Sequence, residues 1–187
     1  MVTILRIGHR IERDKRITTH LALVARAFGA DCIVIAGDND KKLMNTLEKV
    51  VTEWGGNFLL KMIPYQDWEI FIQNWKCDPK SIIVHLTMYG ENLSNFEKSK
   101  EFMSLRKISQ TSSGLLVVVG GEKIPGKVFK LANWNIAISN QPHSEVASLA
   151  VFLDHINPNA MQIQFLKAQK QVIPSLEGKK GFRKFVE

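Results

Sequence analysis

Apolar strand-like segments alternate with helical periodicities along this chain, and this alternation limits the fold more than any other feature. The clearest strand signal is residues 115–119, where five apolar residues follow one another without an intervening polar residue. Strands of this kind are buried on both faces, as in a parallel sheet covered by helices. Five further segments share this apolar, β-branched character: residues 2–7, 32–36, 58–62, 81–86 and 135–138.

Amphipathic helices are predicted between these strands. Four segments place apolar residues on one helical face and are bounded by glycine or proline: residues 18–28, 43–54, 65–75 and 146–156. Strands separated by helices predict one α/β domain over residues 1–187, with a mostly parallel sheet and helices on both faces. Residues 159–187 have the weakest pattern, and we interpret them as a basic C-terminal extension formed by a helix and a tail.

The positive charge of the chain is concentrated at its two ends. The formal net charge is +7, yet residues 1–26 alone carry six basic and two acidic side chains. Residues 160–187 carry the same numbers, so the central part of the chain has almost no net charge. Concentrated positive charge indicates a polyanionic partner. Two solvated basic segments would give the same count, and charge alone does not separate these interpretations.

Several classes of protein are disfavoured by the composition. The longest apolar run is far shorter than the roughly 18 residues that suggest a membrane span, and Arg6 interrupts the first strand, unlike a signal peptide. The two cysteines, Cys32 and Cys77, are far apart and lack Cys-x-x-Cys spacing. Neither a disulfide framework nor a zinc site is therefore expected. We expect a cytoplasmic protein without a metal and without a membrane partner.

Three loops with the composition of ligand-binding loops follow three successive C-terminal strands. They lie within residues 84–90, 117–125 and 138–146. In an open α/β sheet, ligands bind outside the carboxyl ends of the strands. The first strand leads instead into residues 8–16, which are too charged and bulky for close approach to a pyrophosphate. The common nucleotide-binding folds are therefore disfavoured.

Each of these loops, taken alone, has an equally good structural explanation. Gly120 and Gly121 could form a plain turn, and Pro125 could open a helix. His85 could be a core histidine, and Ser144 could cap the helix that follows it. The occurrence of all three loops together favours a ligand site.

Two groups of motifs in this chain resemble those of one enzyme family. The first is an N-terminal block: His9-Arg10, Arg13-Asp-Lys-Arg16, Thr18-Thr-His20 and Ala25-Arg-Ala-Phe-Gly-Ala30. The second comprises three loop motifs: His85-Leu-Thr-Met-Tyr-Gly90, Val119-Gly-Gly-Glu-Lys123 and Asn140-Gln-Pro-His-Ser-Glu-Val146. Together they resemble the archaeal tRNA cytidine 2′-O-ribose methyltransferases of the SPOUT superfamily, which act on a T-loop cytidine. The resemblance covers residues 1–155.

The resemblance implies an α/β fold with a C-terminal trefoil knot, bound S-adenosyl-L-methionine, a tRNA substrate and a homodimer. The implied cofactor-binding residues are Leu86, Gly120, Gly121, Glu122, Lys123, Ile124, Ile136, Ala137, Ile138, Ser139, Asn140, Gln141, Pro142 and His143. Because knots are rare in proteins, the knot rests on the resemblance alone. An apolar stripe on the last helix (Val146, Leu149 and Leu153) could form the dimer face, although a core stripe would look identical.

The chemistry of these loops agrees with a nucleoside cofactor. Gly120 and Gly121 would let the backbone approach a ligand closely and present its N–H and C=O groups. Ile124, Ile136 and Ile138 would supply apolar faces to an adenine ring. Gly121 carries less weight, since an alanine would serve equally well there.

The catalytic residues are expected in the N-terminal block. Related ribose methyltransferases use an arginine in this region, but Leu23 stands at the position that aligns with it. Arg16 and Arg13 are therefore our candidates, with Arg10 and His20 next. Because the pKa of arginine is above about 12, such a residue would clamp a phosphate and polarise the 2′-hydroxyl group rather than act as a base. A surface ion pair of Asp14 with Arg10 or Arg16 is the structural alternative.

Two other functional classes remain open from the sequence. A non-catalytic RNA-binding module would use the basic ends and would not bind the cofactor. A flavodoxin-like or response-regulator-like domain would need a phosphate loop or an acidic cluster after the first strand, and the sequence has neither.

Overall fold

The protein is described by a computed structural model that covers residues 1–109, 114–121 and 124–185. Its strands are β1 Val2–His9, β2 Cys32–Gly37, β3 Leu59–Ile63, β4 Ile82–Asn92, β5 Leu115–Gly120, β6 Trp134–Ala137, β7 Lys170–Val172 and β8 Phe182–Lys184. Its helices are α1 Ile11–Ala27, α2 Lys41–Trp54, α3 Trp68–Trp75, α4 Leu93–Phe96, α5 Lys100–Ser109, α6 Lys127–Leu131 and α7 Glu145–Ile156. Short 3-10 turns are formed by Tyr65–Asp67 and Ala160–Gln162.

The first six strands form one sheet in the order β3-β2-β1-β5-β4-β6, and every neighbouring pair is parallel. This confirms the mostly parallel sheet that the sequence predicts. Since all strands run in the same direction, the loops after β1, β5, β4 and β6 leave from the same edge of the sheet. That edge is the expected location of a ligand site in an open α/β sheet.

Both faces of the sheet are buried beneath helices. Helices α1, α2, α5 and α7 pack against one face, and α3 and α6 pack against the other. Adjacent residues of one strand, such as Val117 and Val118 of β5, therefore belong to different apolar layers, and both are fully buried. This two-sided burial explains why the strand sequences do not alternate between apolar and polar residues.

Helix α1 is longer than its sequence pattern indicates. We predicted a helix over residues 18–28, whereas α1 begins at Ile11 and contains most of the charged N-terminal block. The Arg10 side chain makes no capping hydrogen bond. Instead, the Ile11 N–H donates to Asp38 Oδ2 at 3.0 Å, from the loop after β2. Because this acceptor lies 27 residues away, the local sequence gives no signal for the helix start.

The C-terminal extension corrects a second prediction. The helix expected there is absent from residues 159–185, apart from the 3-10 turn. Strands β7 and β8 pair instead as a short antiparallel hairpin. Gly178 and Gly181, between these strands, have φ angles of 128° and 91°, which favour glycine.

Strand β4 contains an irregularity that shapes the edge of the sheet. Leu86 and Glu91 both pair with Ile136 of β6, so residues 87–90 leave the ladder and return to it. At the return point, Gly90 lies directly against the backbone of β6. A Cβ atom at Gly90 would be 2.4 Å from the carbonyl oxygen of Asn135.

Membrane insertion is not indicated by these helices. None of those in the described ranges combines the length and the apolar character that a membrane span requires.

We predict that Gly90→Ala lowers the free energy of unfolding by about 1–3 kcal/mol, since the added methyl group would push β4 away from β6. Urea unfolding of the two proteins measures the difference. Gly121→Ala is the matched control, because a Cβ atom there meets nothing within 4 Å. The predicted close approach is wrong if the Gly90 variant is as stable as the control.

Candidate functional site

The first and third predicted loops are joined at the carboxyl edge of the sheet by one side chain. The Asn140 amide nitrogen donates hydrogen bonds to the carbonyl oxygens of Met88, at 2.8 Å, and Gly90, at 3.1 Å. The Asn92 amide nitrogen donates to Asn140 Oδ1 at 3.3 Å. Asn140 therefore fixes the loop after β6 against the excursion of β4.

The second loop begins beside β1. Gly120 pairs with Ile7, and a Cβ atom at Gly120 would lie 2.9 Å from the Ile7 carbonyl oxygen and 2.8 Å from the Ile124 side chain. The close approach predicted for Gly120 therefore exists, but it is an approach to the protein itself. Gly121 has open space around it, so the argument from close approach does not extend to that residue. Predicted residues Glu122 and Lys123 lie outside the described residues.

The predicted cofactor residues differ widely in exposure. Leu86, Ile136 and Ala137 are buried in the core, so only their backbone groups can serve a ligand. Ile138 and Ser139 are half-buried. The exposed residues of this set, among those that the structure describes, are Gly121, Asn140, Gln141, Pro142 and His143. The third loop thus changes from apolar to polar within a few residues.

The end of the third loop is shaped by the start of α7. Ser144 Oγ accepts a hydrogen bond from the Val146 N–H at 3.2 Å, so the alternative reading of Ser144 as a helix cap is confirmed. His143 Nδ1 lies 3.0 Å from Ser148 Oγ and is thereby held against the helix.

A cavity of about 320 Å³ brings the N-terminal block and the third loop together. Arg16, Ile17 and His20 of α1 line one side of it. Ser144, which precedes α7, and Val146, within α7, complete the lining. Two of the four predicted catalytic candidates, Arg16 and His20, are therefore next to the end of the third loop.

The other two candidates lie outside the cavity lining. Arg13 is exposed on α1, and Arg10 Nε donates to Asp14 Oδ2 at 2.9 Å. The predicted surface ion pair of Asp14 is thus made with Arg10. Burial tends to raise the pKa of Asp14, but the hydrogen bond from Arg10 and the charge of Arg6 outweigh it and lower that pKa.

A buried ion pair, which sequence reasoning missed, links β1 to the first residue of α7. Arg6 is fully buried, and its Nη2 donates to Glu145 Oε1 at 3.1 Å. A buried guanidinium group needs a partner, since an unpaired charge in the core is very costly. The signal that could have revealed the pair was an arginine inside an otherwise apolar strand.

Two buried histidines are structural parts of this region. His9 Nδ1 lies 2.9 Å from Thr18 Oγ1, and burial together with the charge of Arg6 lowers the pKa of His9. His85 Nδ1 lies 2.8 Å from Asn135 Oδ1. Because the Asn135 amide nitrogen itself donates to the Phe129 carbonyl oxygen at 3.0 Å, His85 Nδ1 must carry the proton. Burial lowers the pKa of His85.

Three comparisons identify the relatives of this chain. The sequence profile of the family described as tRNA ribose 2′-O-methyltransferase, aTrm56, matches residues 54–182. A tRNA (cytidine(56)-2′-O)-methyltransferase of Thermococcus kodakarensis is 45% identical over 181 residues, which cover 96% of each protein. The enzyme of the same name from Thermofilum pendens is 48% identical over 179 residues, which cover 95% of this chain and 93% of the relative. The chain belongs to this family.

Membership in the aTrm56 family confirms the resemblance that the motifs indicated. Solved structures at much lower identity share the fold. The SpoU methyltransferase AviRb from Streptomyces viridochromogenes, solved in complex with the cofactor AdoMet, gives a TM-score of 0.55 at 11% identity, over 85% of this chain and 57% of that chain. A putative RNA methyltransferase of the TrmH family from Porphyromonas gingivalis gives 0.60 at 12% identity, over 84% and 59%. This aTrm56-family chain thus spans less than two thirds of either structure.

A metal centre is not indicated in this family member. Residues 1–109, 114–121 and 124–185 contain no group of three or more histidine, cysteine, aspartate or glutamate side chains placed to hold a metal ion. Cys32 and Cys77 are free thiols.

We predict that Arg6→Met lowers the free energy of unfolding by about 3–5 kcal/mol, because it leaves the Glu145 carboxylate without its buried partner. The double variant Arg6→Met/Glu145→Gln should recover part of this loss, since the remaining group is neutral. Urea unfolding of both variants and the wild type tests the pair. Equal losses in the single and double variants would show that the charge interaction is unimportant.

We also predict a pH dependence of stability from His85. In the unfolded chain its pKa is near 6.5, and burial lowers it in the folded protein. The unfolded state therefore binds a proton first, so the free energy of unfolding should decrease as the pH falls below about 6.5. His85→Gln should reduce this decrease in urea unfolding curves recorded between about pH 7.5 and about pH 5.5. Part of the decrease should remain, since burial of His9 acts in the same direction.

Proposed function

We propose that this protein is an S-adenosyl-L-methionine-dependent tRNA methyltransferase that methylates the ribose 2′-hydroxyl of cytidine 56, in the T loop. The observation that carries this function is the 45% and 48% identity to enzymes of that name over almost their whole length. The alternative of a non-catalytic RNA-binding module is not favoured, because these full-length relatives are named as enzymes. With tRNA as its substrate, we assign the enzyme to the cytoplasm.

The third loop fits a cofactor that has an apolar ring and polar substituents. Half-buried Ile138 offers an apolar surface, and the exposed residues 140–143 offer amide, imidazole and backbone groups. When bound, S-adenosyl-L-methionine supplies a methyl group on a positively charged sulfur. We propose that Leu86 and residues 120–124 and 136–143 hold it. The hydrogen bonds of Asn140 to the first loop support this assignment, since they hold the first and third loops together.

The reaction is a displacement in which a bond forms between the ribose oxygen and the methyl carbon while the sulfur–methyl bond breaks. The hydroxyl proton leaves to water or to a neighbouring phosphate. The protein must align the hydroxyl group with the methyl carbon, and alignment can supply several kcal/mol of the barrier.

Arg16 is our candidate for the substrate side of this alignment. It lines the cavity that the end of the third loop also lines. We propose that its guanidinium group clamps the phosphate beside the reacting ribose and polarises the 2′-hydroxyl. Arg13, three residues earlier on the same helix, lies on a neighbouring part of the surface and is the second candidate.

The remaining parts of the proposal concern architecture. We propose a SPOUT-type trefoil knot, a homodimer, and a single domain over residues 1–187 with 159–187 as its extension. The hydrogen bonds of Asn140 support the knot, since they hold the third loop beside the first. Leu149 and Leu153 are already buried within the chain itself, whereas Val146 is half-buried, so the burial of the two leucines does not require a second subunit.

Transfer of labelled methyl from S-adenosyl-L-methionine to an unmodified archaeal tRNA transcript tests the function, with nucleoside mapping of the product. We expect 2′-O-methylcytidine at position 56. Arg16→Lys should lower kcat about tenfold or more, because an ammonium group cannot make a bidentate clamp. Lys15→Gln, on the same helical turn, is the control and should stay within about twofold of wild type.

Three outcomes would contradict these assignments. Cofactor binding without methylation of cytidine 56 would move the substrate elsewhere. If the protein neither binds the cofactor nor transfers methyl, the non-catalytic RNA-binding module becomes the better interpretation. An Arg16→Lys enzyme as active as the control would remove Arg16 from the mechanism while leaving the reaction intact.

A further inference from the structure

The candidate site and the C-terminal extension lie towards opposite ends of helix α1. Arg13 and Arg16 belong to its first turns, and Arg16 lines the cavity described above. The C-terminal extension packs against its last turn, where the Arg26 guanidinium lies 4.1 Å from the centre of the Phe165 ring. Arg16 and Arg26 are ten residues apart on α1, which corresponds to about 15 Å along the helix axis. The C-terminal charge therefore belongs to a surface separate from the candidate site.

The base of the C-terminal hairpin is held by main-chain contacts. The Gly56 N–H donates to the Leu166 carbonyl oxygen at 2.8 Å, and the Gln169 N–H donates to the Glu53 carbonyl oxygen at 3.0 Å. The Lys170 ammonium group pairs with the Glu53 carboxylate. These contacts fix the hairpin to the end of α2, so its outer side chains project from a defined backbone.

The C-terminal extension carries several exposed cations. Lys167, Lys179, Arg183 and Lys184 are exposed and form no ion pair with any residue that the structure describes. Lys180 pairs with Glu177, and residues 160–185 contain no other acidic residue. Exposed cations clustered on one short hairpin are the electrostatic footprint of a nucleic-acid backbone.

Exposed aromatic rings accompany these cations. Phe182 is 45% exposed and Phe185 is 46% exposed, and Phe182 packs edge-to-face on Trp54 with ring centres 5.6 Å apart. Exposed apolar groups beside unpaired cations indicate a surface that a partner covers.

We propose that this hairpin is a second tRNA-binding surface, which holds backbone phosphates about 15 Å or more along α1 from the cavity of Arg16. The proposal rests on the proposed function, which makes tRNA the substrate. A single loop nucleotide at the Arg16 cavity cannot reach the hairpin, whereas a folded tRNA extends well beyond its T loop. The hairpin therefore contributes affinity for the whole tRNA and takes no part in methyl transfer.

The test removes three of the unpaired charges together. The variant Lys179→Gln/Arg183→Gln/Lys184→Gln is compared with a control, Lys98→Gln/Lys100→Gln/Lys107→Gln, which removes three exposed charges on or beside α5. The Kd for a full-length unmodified transcript is measured over a range of KCl concentrations. Each lost phosphate contact lowers the slope of log Kd against log salt by about 0.7–0.9, so the hairpin variant should lose about 2.

Kinetic measurements separate binding from chemistry. We expect the hairpin variant to raise the tRNA KM about tenfold, with kcat at saturating tRNA and the affinity for S-adenosyl-L-methionine unchanged.

The outcomes distinguish this inference from the proposed function. If the hairpin variant keeps the salt slope and KM of the control, the second surface is disproved while the methyltransferase stands. A changed oligomeric state in sedimentation with an unchanged slope would make the hairpin a subunit interface, which also overturns the proposal. If the wild type binds tRNA through this surface but methylates no cytidine, the proposed function fails and the surface remains.

Discussion

The burial of the sheet on both faces is the constraint on which the rest of this structure depends. Six parallel strands place mainly apolar side chains in two layers, so few polar groups lie on either face. Polar and charged groups are thereby directed to the carboxyl edge, where the loops after β1, β4, β5 and β6 emerge. The position of the candidate site is a consequence of this arrangement.

The buried pair of Arg6 and Glu145 is the main exception to the apolar core, and it connects the two halves of the candidate site. Arg6 belongs to the strand that precedes the N-terminal basic block, and Glu145 opens the helix that follows the third loop. Because neither charge is stable alone in the core, the two segments must assemble together. Asn140 makes a second connection, between the third loop and the excursion of β4. A family defined by motifs far apart in sequence thus acquires one continuous site.

Much of the fold was predictable because its signals are local. The uninterrupted apolar run at residues 115–119 became the buried strand β5, and the glycines at 55 and 56 ended α2 as expected. The start of α1 was missed because its capping acceptor, Asp38, comes from another loop. The C-terminal hairpin was missed because its strands have three residues each, too few to establish a period.

The amino-acid sequence by itself determined the α/β class, the succession of strands and helices, the family and the concentration of charge at the two ends. These properties depend on side-chain type and local spacing, which the chain carries in any conformation. The tertiary structure alone decided which distant groups meet. It brought Arg16 to Ser144, paired Arg6 with Glu145, and placed the C-terminal extension beside the last turn of α1, away from Arg16. The physical reason is that strand order and helix packing set these distances, and the local pattern of residues predicts neither of them.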